Sequence, residues 1–146
     1  LPTQPDPIRI ASIPWTQGEA ELSHLRRVVF VEEQGVPEAL EWDGLDRRCV
    51  HLMAQDSTGQ VIGCARLTPD GQIGRMAVLP ERRGQGIGGA LLRAAIAAAR
   101  ERGWEPVYVH AQIHAQRFYA RHGFVADGEP FCEAGIDHLR MALPDP

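Results

Sequence analysis

No lysine occurs anywhere in the 146 residues; all fifteen basic side chains are arginine. That absence removes Schiff-base chemistry, pyridoxal-phosphate attachment and the phosphate-gripping lysine of a P-loop, each of which needs an ε-amine. Cysteine is scarce. Cys49, Cys64 and Cys132 are odd in number, widely spaced and without a CxxC pair, which fits reduced structural thiols better than a disulfide frame or a zinc site. No apolar run approaches the ~20 residues of a membrane span, and the first residues are proline-rich and polar rather than basic then apolar, so a cytoplasmic protein is expected. An excess of positive charge is also missing. Nineteen acidic residues give a net charge of -4, which argues against broad affinity for nucleic acid or an anionic membrane.

What is present is the composition of an ordinary globule, 44% hydrophobic and 23% charged. A chain of this length buries roughly 70% of its unfolded surface in one core. The expected organisation is a flexible N-terminal segment, residues 1–7, and a single domain over residues 8–146, with no internal repeat and no dividing linker.

Residues 8–13 alternate apolar and polar side chains and stop at Pro14, predicting a strand. Thr16 and Glu19 have capping-box spacing, and Leu22, Leu25 and Val29 recur on one helical face that Gly35 and Pro37 end. An acidic loop follows over residues 32–46. Residues 50–55, 61–67 and 73–79 predict three successive strands, separated by turn residues. Ile87, Ala90, Leu91, Ala94, Ala95 and Ala98 form the most regular apolar stripe, predicting a helix over residues 86–102 that Gly103 ends. Residues 107–111 predict a strand, Ala115, Phe118, Tyr119 and His122 share one face of a short helix, and residues 124–126 and 136–143 close the sheet. The expected class is α+β with one central βαβ unit.

The run Val78-Leu79-Pro80-Glu81-Arg82-Arg83-Gly84-Gln85-Gly86-Ile87-Gly88-Gly89 leaves a strand and opens the strongest helix. Glycines let the main chain approach a ligand closely, and the first amides of a helix have no internal partner, so this turn is an anion site suited to a pyrophosphate. A Walker turn fails, because Gly89 and Ala90 stand where Lys and Ser or Thr are needed. Gly84, Gly86 and Gly89 spell the dinucleotide fingerprint, but no acidic residue ends the next strand and only one βαβ unit is available. A third possibility is that the glycines merely turn the chain.

Arg83-Gly84-Gln85-Gly86-Ile87-Gly88 also matches the (Q/R)xxGx(G/A) signature of the GNAT superfamily of N-acetyltransferases, preceded by a Val-x-Pro lead-in. Gln112-x-x-Ala115-x-x-Phe118-Tyr119 followed by His122-Gly123-Phe124 is similar to the later GNAT pattern NxxAxxFYxxxGF, with Gln112 in place of Asn. Glu33-Gln34-Gly35-Val36-Pro37, Glu41-Trp42-Asp43, Gly74-Arg75-Met76 and the closing Gly135-Ile136-Asp137-His138-Leu139 resemble the ElaA/YjcF-like acyltransferases. The resemblance runs from about Val29 to Met141.

It implies a GNAT acyl-CoA N-acyltransferase fold, a mixed central sheet of six or seven strands with helices on both faces. It also implies acetyl-CoA as donor, lying between two splayed parallel strands, and direct attack by an amine without a covalent enzyme intermediate or a metal. The backbone of Met76 and Val78 would bind the pantetheine arm, and an amide near Ala77 would face the oxyanion. Gly84, Gln85, Gly86, Ile87, Gly88 and Gly89, with Arg82 and Arg83, would hold the pyrophosphate, and Gln112 and Phe118 belong to the same donor site. Tyr119 is the implied catalytic residue, donating a hydrogen bond to the departing thiolate. Glu33, Gln34, His51, Arg75 and His138 are the acceptor-side candidates, and no spacing singles out a base among Glu33, His51, His110, His114 and His138. The acidic loop suits a cationic acceptor and Arg66 and Arg75 a carboxylate, and the sequence leaves both open. The expected partner is a small-molecule or peptide amine, with the chain a monomer or homodimer. A longer acyl donor and a non-catalytic CoA-sensing module remain as alternatives.

Overall fold

The computed structural model describes residues 7–145, so all but Pro7 of the expected N-terminal segment lies outside the described residues. The chain opens with strand β1 (Arg9–Ile13) and helix α1 (Trp15–Arg26). The expected capping box does not form. Pro14 is the N-cap, and its carbonyl accepts from the amides of Gln17 and Gly18, so Thr16 already lies within the first turn. The helix then continues as a π-helical stretch, Arg27–Glu33, in which the Gln34 amide reaches back five residues to the Val29 carbonyl at 3.1 Å. A short helix α2 (Glu38–Glu41) crosses the acidic loop.

Strands β2 (Val50–Gln55), β3 (Val61–Leu67) and β4 (Gln72–Val78) form the expected antiparallel meander. Helix α3 (Ile87–Arg102) crosses over to β5 (Tyr108–Gln112), helix α4 (Gln116–Arg121) follows, and β6 (Val125–Ala126), β7 (Phe131–Glu133) and β8 (Ile136–Ala142) complete one eight-stranded sheet. Its order is β1-β2-β3-β4-β5-β8-β6, with β7 also on β8. The extra strand over the expected six or seven is β7, whose three residues are too short to show an alternating pattern. It is joined to β8 by Ala134-Gly135, both at positive φ as a two-residue hairpin turn requires.

Helices cover both faces. On one, Leu91, Leu92, Ala95 and Ala99 of α3 pack on Ile62, Ala65, Ile73 and Val109. A Cβ on Gly63 would stand 3.0 Å from Leu91 Cδ1, so α3 sits down on the sheet where a side chain is missing. On the other face Trp15, Leu22, Leu25 and Val29 pack on Cys64 and Ala77.

The centre of the sheet opens. β4 and β5 run parallel, but they pair only at Gln72 with Tyr108 and Ile73 with Val109. Immediately afterwards β4 bulges: Cys64 faces Ala77 and Arg66 faces Gly74, so Ala65 alone opposes Arg75 and Met76. Arg75 takes the left-handed conformation, φ 47°. A bulge bends its own strand, and here it turns Met76, Ala77 and Val78 away from β5.

Candidate active site

A cleft of about 760 Å³ occupies the opening between β4 and β5. It brings together Glu33, Gln34, Met76, Ala77, Val78, Arg83, Gly88, Gln112, Phe118 and Tyr119 from the expected set, and adds Val29, His114, Ala115 and Ile136. Val29 was legible only as a helix-core position, and Ile136 and Ala115 carry no chemical signature that would have marked them as cleft wall.

On the β5 side, the edge of β4 at residues 76–78 has no strand partner, so its main-chain groups face the cleft. At its far end Gly84 and Gly86 adopt φ of 78° and 79°, and a Cβ on either would meet nothing within 4 Å. Glycine is therefore needed there for conformation and not for room. Gly86 is the N-cap of the 16-residue α3, whose first internal bond runs from the Ala90 amide to the Gly86 carbonyl, so the amides of Ile87, Gly88 and Gly89 lie ahead of the helical ladder. Phe118 closes the wall against Gly88.

Glu33 and Gln34, at the end of the π-helical stretch, reach opposite arms of the opening. Both Glu33 carboxylate oxygens accept from Arg83, at 2.7 Å each, and Arg83 Nε donates to the Val78 carbonyl at 3.0 Å. The Arg83 bond holds the Glu33 carboxyl below its ordinary value. Arg82 Nε donates to Gln85 Oε1 at 3.3 Å, and its Nη1 lies 3.7 Å from Asp56, just outside the cleft wall. Tyr119 packs edge-on against Phe118 and Phe124, its hydroxyl 3.6 Å from the thioether sulfur of Met76. Burial pushes its phenol up to about 12. Cys64 is buried under Arg75, its thiol donating to the Arg75 carbonyl and pushed up to about 12 by burial, which fits an inert thiol.

Three acceptor-side expectations resolve differently. His51 is not on the cleft. It is 2% exposed, tilted against Trp15 at 4.9 Å between ring centroids and bonded through Nε2 to the Asp46 carbonyl at 2.8 Å, so packing accounts for its position. Arg75 and Arg66 face the acidic loop. Arg26 binds Glu41 and Asp46 at 2.8 Å each, Arg66 binds Asp43 at 2.7 Å and Asp46 at 3.1 Å, and Arg75 lies 2.9 Å from Glu41 and 3.3 Å from Asp43. Three guanidiniums thus balance three carboxylates, and the Arg26 guanidinium lies over the rings of Trp15 and Trp42, 5.5 and 5.0 Å from their centroids. Burial pushes the Asp43 carboxyl up, but Arg66 and the Leu45 amide outweigh it and the value falls to about 2. The loop's Glu41, Asp43 and Asp46 are therefore each paired with arginine, and Glu41 and Asp43 lie against Arg75 at the bulge. His138 lies across from Gln112 on β8, buried, beside the cleft wall formed by Ile136 and Gln112.

Among the described residues no group of three or more His, Cys, Asp or Glu side chains is placed to hold a metal ion, and no helix is long and apolar enough to cross a membrane. The donor set does suit an acyl-CoA: an open strand edge for an amide-rich arm, a glycine turn for a double anion and an aromatic wall beside the thioester position.

Residues 20–144 match the family model described as an acetyltransferase (GNAT) domain. YjcF of Bacillus subtilis, named an uncharacterized N-acetyltransferase, is 34% identical over 122 residues, covering 81% of this chain and 86% of that protein. An acyl-CoA N-acyltransferase structure from Pseudomonas aeruginosa superposes with a TM-score of 0.84 at 35% identity, covering 94% of this chain and all of that one. Escherichia coli ElaA superposes at 0.83 with 27% identity, over 93% and 99% of the two chains.

Proposed function

The chain belongs to the GNAT acetyltransferase family, and on that footing we propose that it transfers the acetyl group of acetyl-CoA directly to an amine. The observation that carries this reading is the β4 edge at residues 76–78, turned from β5 by the Arg75 bulge and continuous with the glycine turn before α3.

The pantetheine arm pairs with the main chain of Met76 and Val78, whose groups alternate with the β3-paired groups of Ala77, and an open-side β4 amide next to Ala77 faces the carbonyl oxygen as it becomes negative. The pyrophosphate sits on the amides at the start of α3, where the helix dipole favours negative charge. Arg83 adds charge once Glu33 yields it. The amine nitrogen attacks the thioester carbon, the C–S bond breaks, and the thiolate leaves beside Tyr119. With a phenol at about 12 and a thiol near 8.5 (the cysteine value as stand-in), full proton transfer runs uphill by about 3.5 units, or about 5 kcal/mol. Tyr119 therefore stabilises the leaving sulfur as a hydrogen-bond donor and keeps its proton. The Gln34–Gln112 bond, 3.1 Å, spans the cleft between its two arms, which favours a short acyl group.

Thiol release from acetyl-CoA across a panel of amines tests the reading: turnover with at least one amine supports it, and tight acetyl-CoA binding with none turned over favours a CoA-sensing module.

A further inference from the structure

Resting on that amine-transfer reading, we propose that His138 is the base that takes the proton from the acceptor amine, with Glu133 stabilising the imidazolium and His110 holding Glu133 in place.

The position comes first. His138 stands directly across from Gln112, and Ile136 precedes it by two residues on the same face of β8. Gln112 and Ile136 both line the cleft, and His138, 6% exposed, lies just behind that wall. That face is the one α1 covers, because the alternate β5 residues Val109 and Ala111 point into the α3 core. It is the face opposite α3, whose N-terminus the proposed function gives to the pyrophosphate.

The hydrogen bonds then fix the imidazole's chemistry. His138 Nδ1 lies 2.7 Å from the Ile136 carbonyl, which can only accept, so Nδ1 carries the hydrogen and Nε2 holds the basic lone pair. Nε2 is 3.8 Å from one oxygen of Glu133. The other Glu133 oxygen lies 3.2 Å from His110 Nδ1, which donates to it. The Phe131 ring lies stacked on His138 and meets His110 edge-on, at 5.8 and 5.0 Å between centroids, so both imidazoles are held in orientation. Protonation of Nε2 places a cation beside a carboxylate already oriented to receive it. The remaining charged groups around this face are engaged elsewhere: Arg140 by Asp127, Glu33 by Arg83, and Asp43 by Arg66 and Arg75. His114 and Tyr119 are further titratable side chains on the cleft wall.

The step balances. The ammonium R–NH3+ gives one proton to His138 Nε2 through one water, and the resulting amine forms the N–C bond as the C–S bond breaks. The nitrogen's second proton leaves to the thiolate by way of solvent, and His138 returns its own proton to solvent.

The test is the pH profile of kcat/KM for the best amine of the panel, read beside acetyl-CoA affinity by calorimetry. His138→Gln is expected to lower kcat/KM at least a hundredfold and to flatten the acidic limb, with the acetyl-CoA Kd within twofold of wild type. Glu133→Gln, at an exposed site, is expected to move that limb about one unit toward lower pH, a shift that a purely structural role would not produce. Nitrogen-resolved NMR of the unliganded wild-type protein, which needs neither donor nor acceptor, is expected to find neutral His138 with its hydrogen on Nδ1 and the lone pair on Nε2. A His138→Gln profile with its acidic limb intact, a limb unmoved in Glu133→Gln, or the opposite tautomer overturns the assignment. Absence of acetyl-CoA binding by the wild type would sink the transferase reading instead, and the NMR result would still decide the His138–Glu133 pairing.

Discussion

Gln34 Oε1 accepts a hydrogen bond from Gln112 Nε2 at 3.1 Å, joining the end of the π-helical stretch to the end of β5 across 78 positions of sequence. Its neighbour Glu33 grips Arg83 on the other arm, so two consecutive side chains brace the opening at the middle of the sheet.

If that bond bounds the acyl subsite, Gln34→Ala should widen it. The expected result is a rise of about tenfold in the ratio of butyryl-CoA to acetyl-CoA turnover, from added room worth one or two methylenes. An unchanged ratio in competition assays would remove Gln34 from acyl selection.

If Arg83 binds the donor's pyrophosphate as proposed, Glu33 competes for it through the bidentate pair at 2.7 Å. Glu33→Gln should tighten acetyl-CoA binding by about threefold at low salt, within the range of exposed ion pairs, and the gain should fade as salt is added. Calorimetry at two ionic strengths reads this directly. Weaker binding would mean that Glu33 serves chiefly to position Arg83.

Tyr119→Phe removes a hydrogen-bond donor and leaves the ring packing against Phe118 and Phe124. Turnover should fall about a hundredfold while the acetyl-CoA Kd holds, as for loss of one transition-state donor. Because the phenol sits at about 12, the wild-type rate should show no tyrosine ionisation below pH 10.

The Arg26–Glu41–Arg75 arrangement holds the bulge that opens the sheet. Glu41→Ala removes one of the two carboxylate partners of Arg26, 1% exposed, and the Nε partner of Arg75, leaving three guanidiniums against two carboxylates, and should cost about 3–5 kcal/mol, seen as a Tm lower by about 10 °C. Asp43 adds a pH dependence. Its folded value, about 2, lies below the ordinary 3.8, so its contribution is complete above the higher value and is lost as pH falls from about 4 toward 2. Asp43→Asn should flatten that acid limb of the stability curve.

Much of this was legible in residue order. The apolar stripe of α3, the glycines ahead of it and the three-strand meander are local patterns, and each formed within a residue or two of its expected limits. What the sequence hid is set by partners far along the chain. The acidic loop reads as a solvated anionic patch until Arg26, Arg66 and Arg75 arrive from three other elements to neutralise Glu41, Asp43 and Asp46. His51 offers the same ambiguity, resolved by Trp15 and the Asp46 carbonyl. Glu133 gave no signal, because its meaning comes from a three-residue strand that sets it between His110 and His138.

The most direct test is an NMR titration of the protein with acetyl-CoA, following backbone amides. The account predicts saturable shifts concentrated at Met76 and Val78 and at the turn residues 84–89. Saturation with those amides unmoved, or with shifts centred on another face of the sheet, would contradict it.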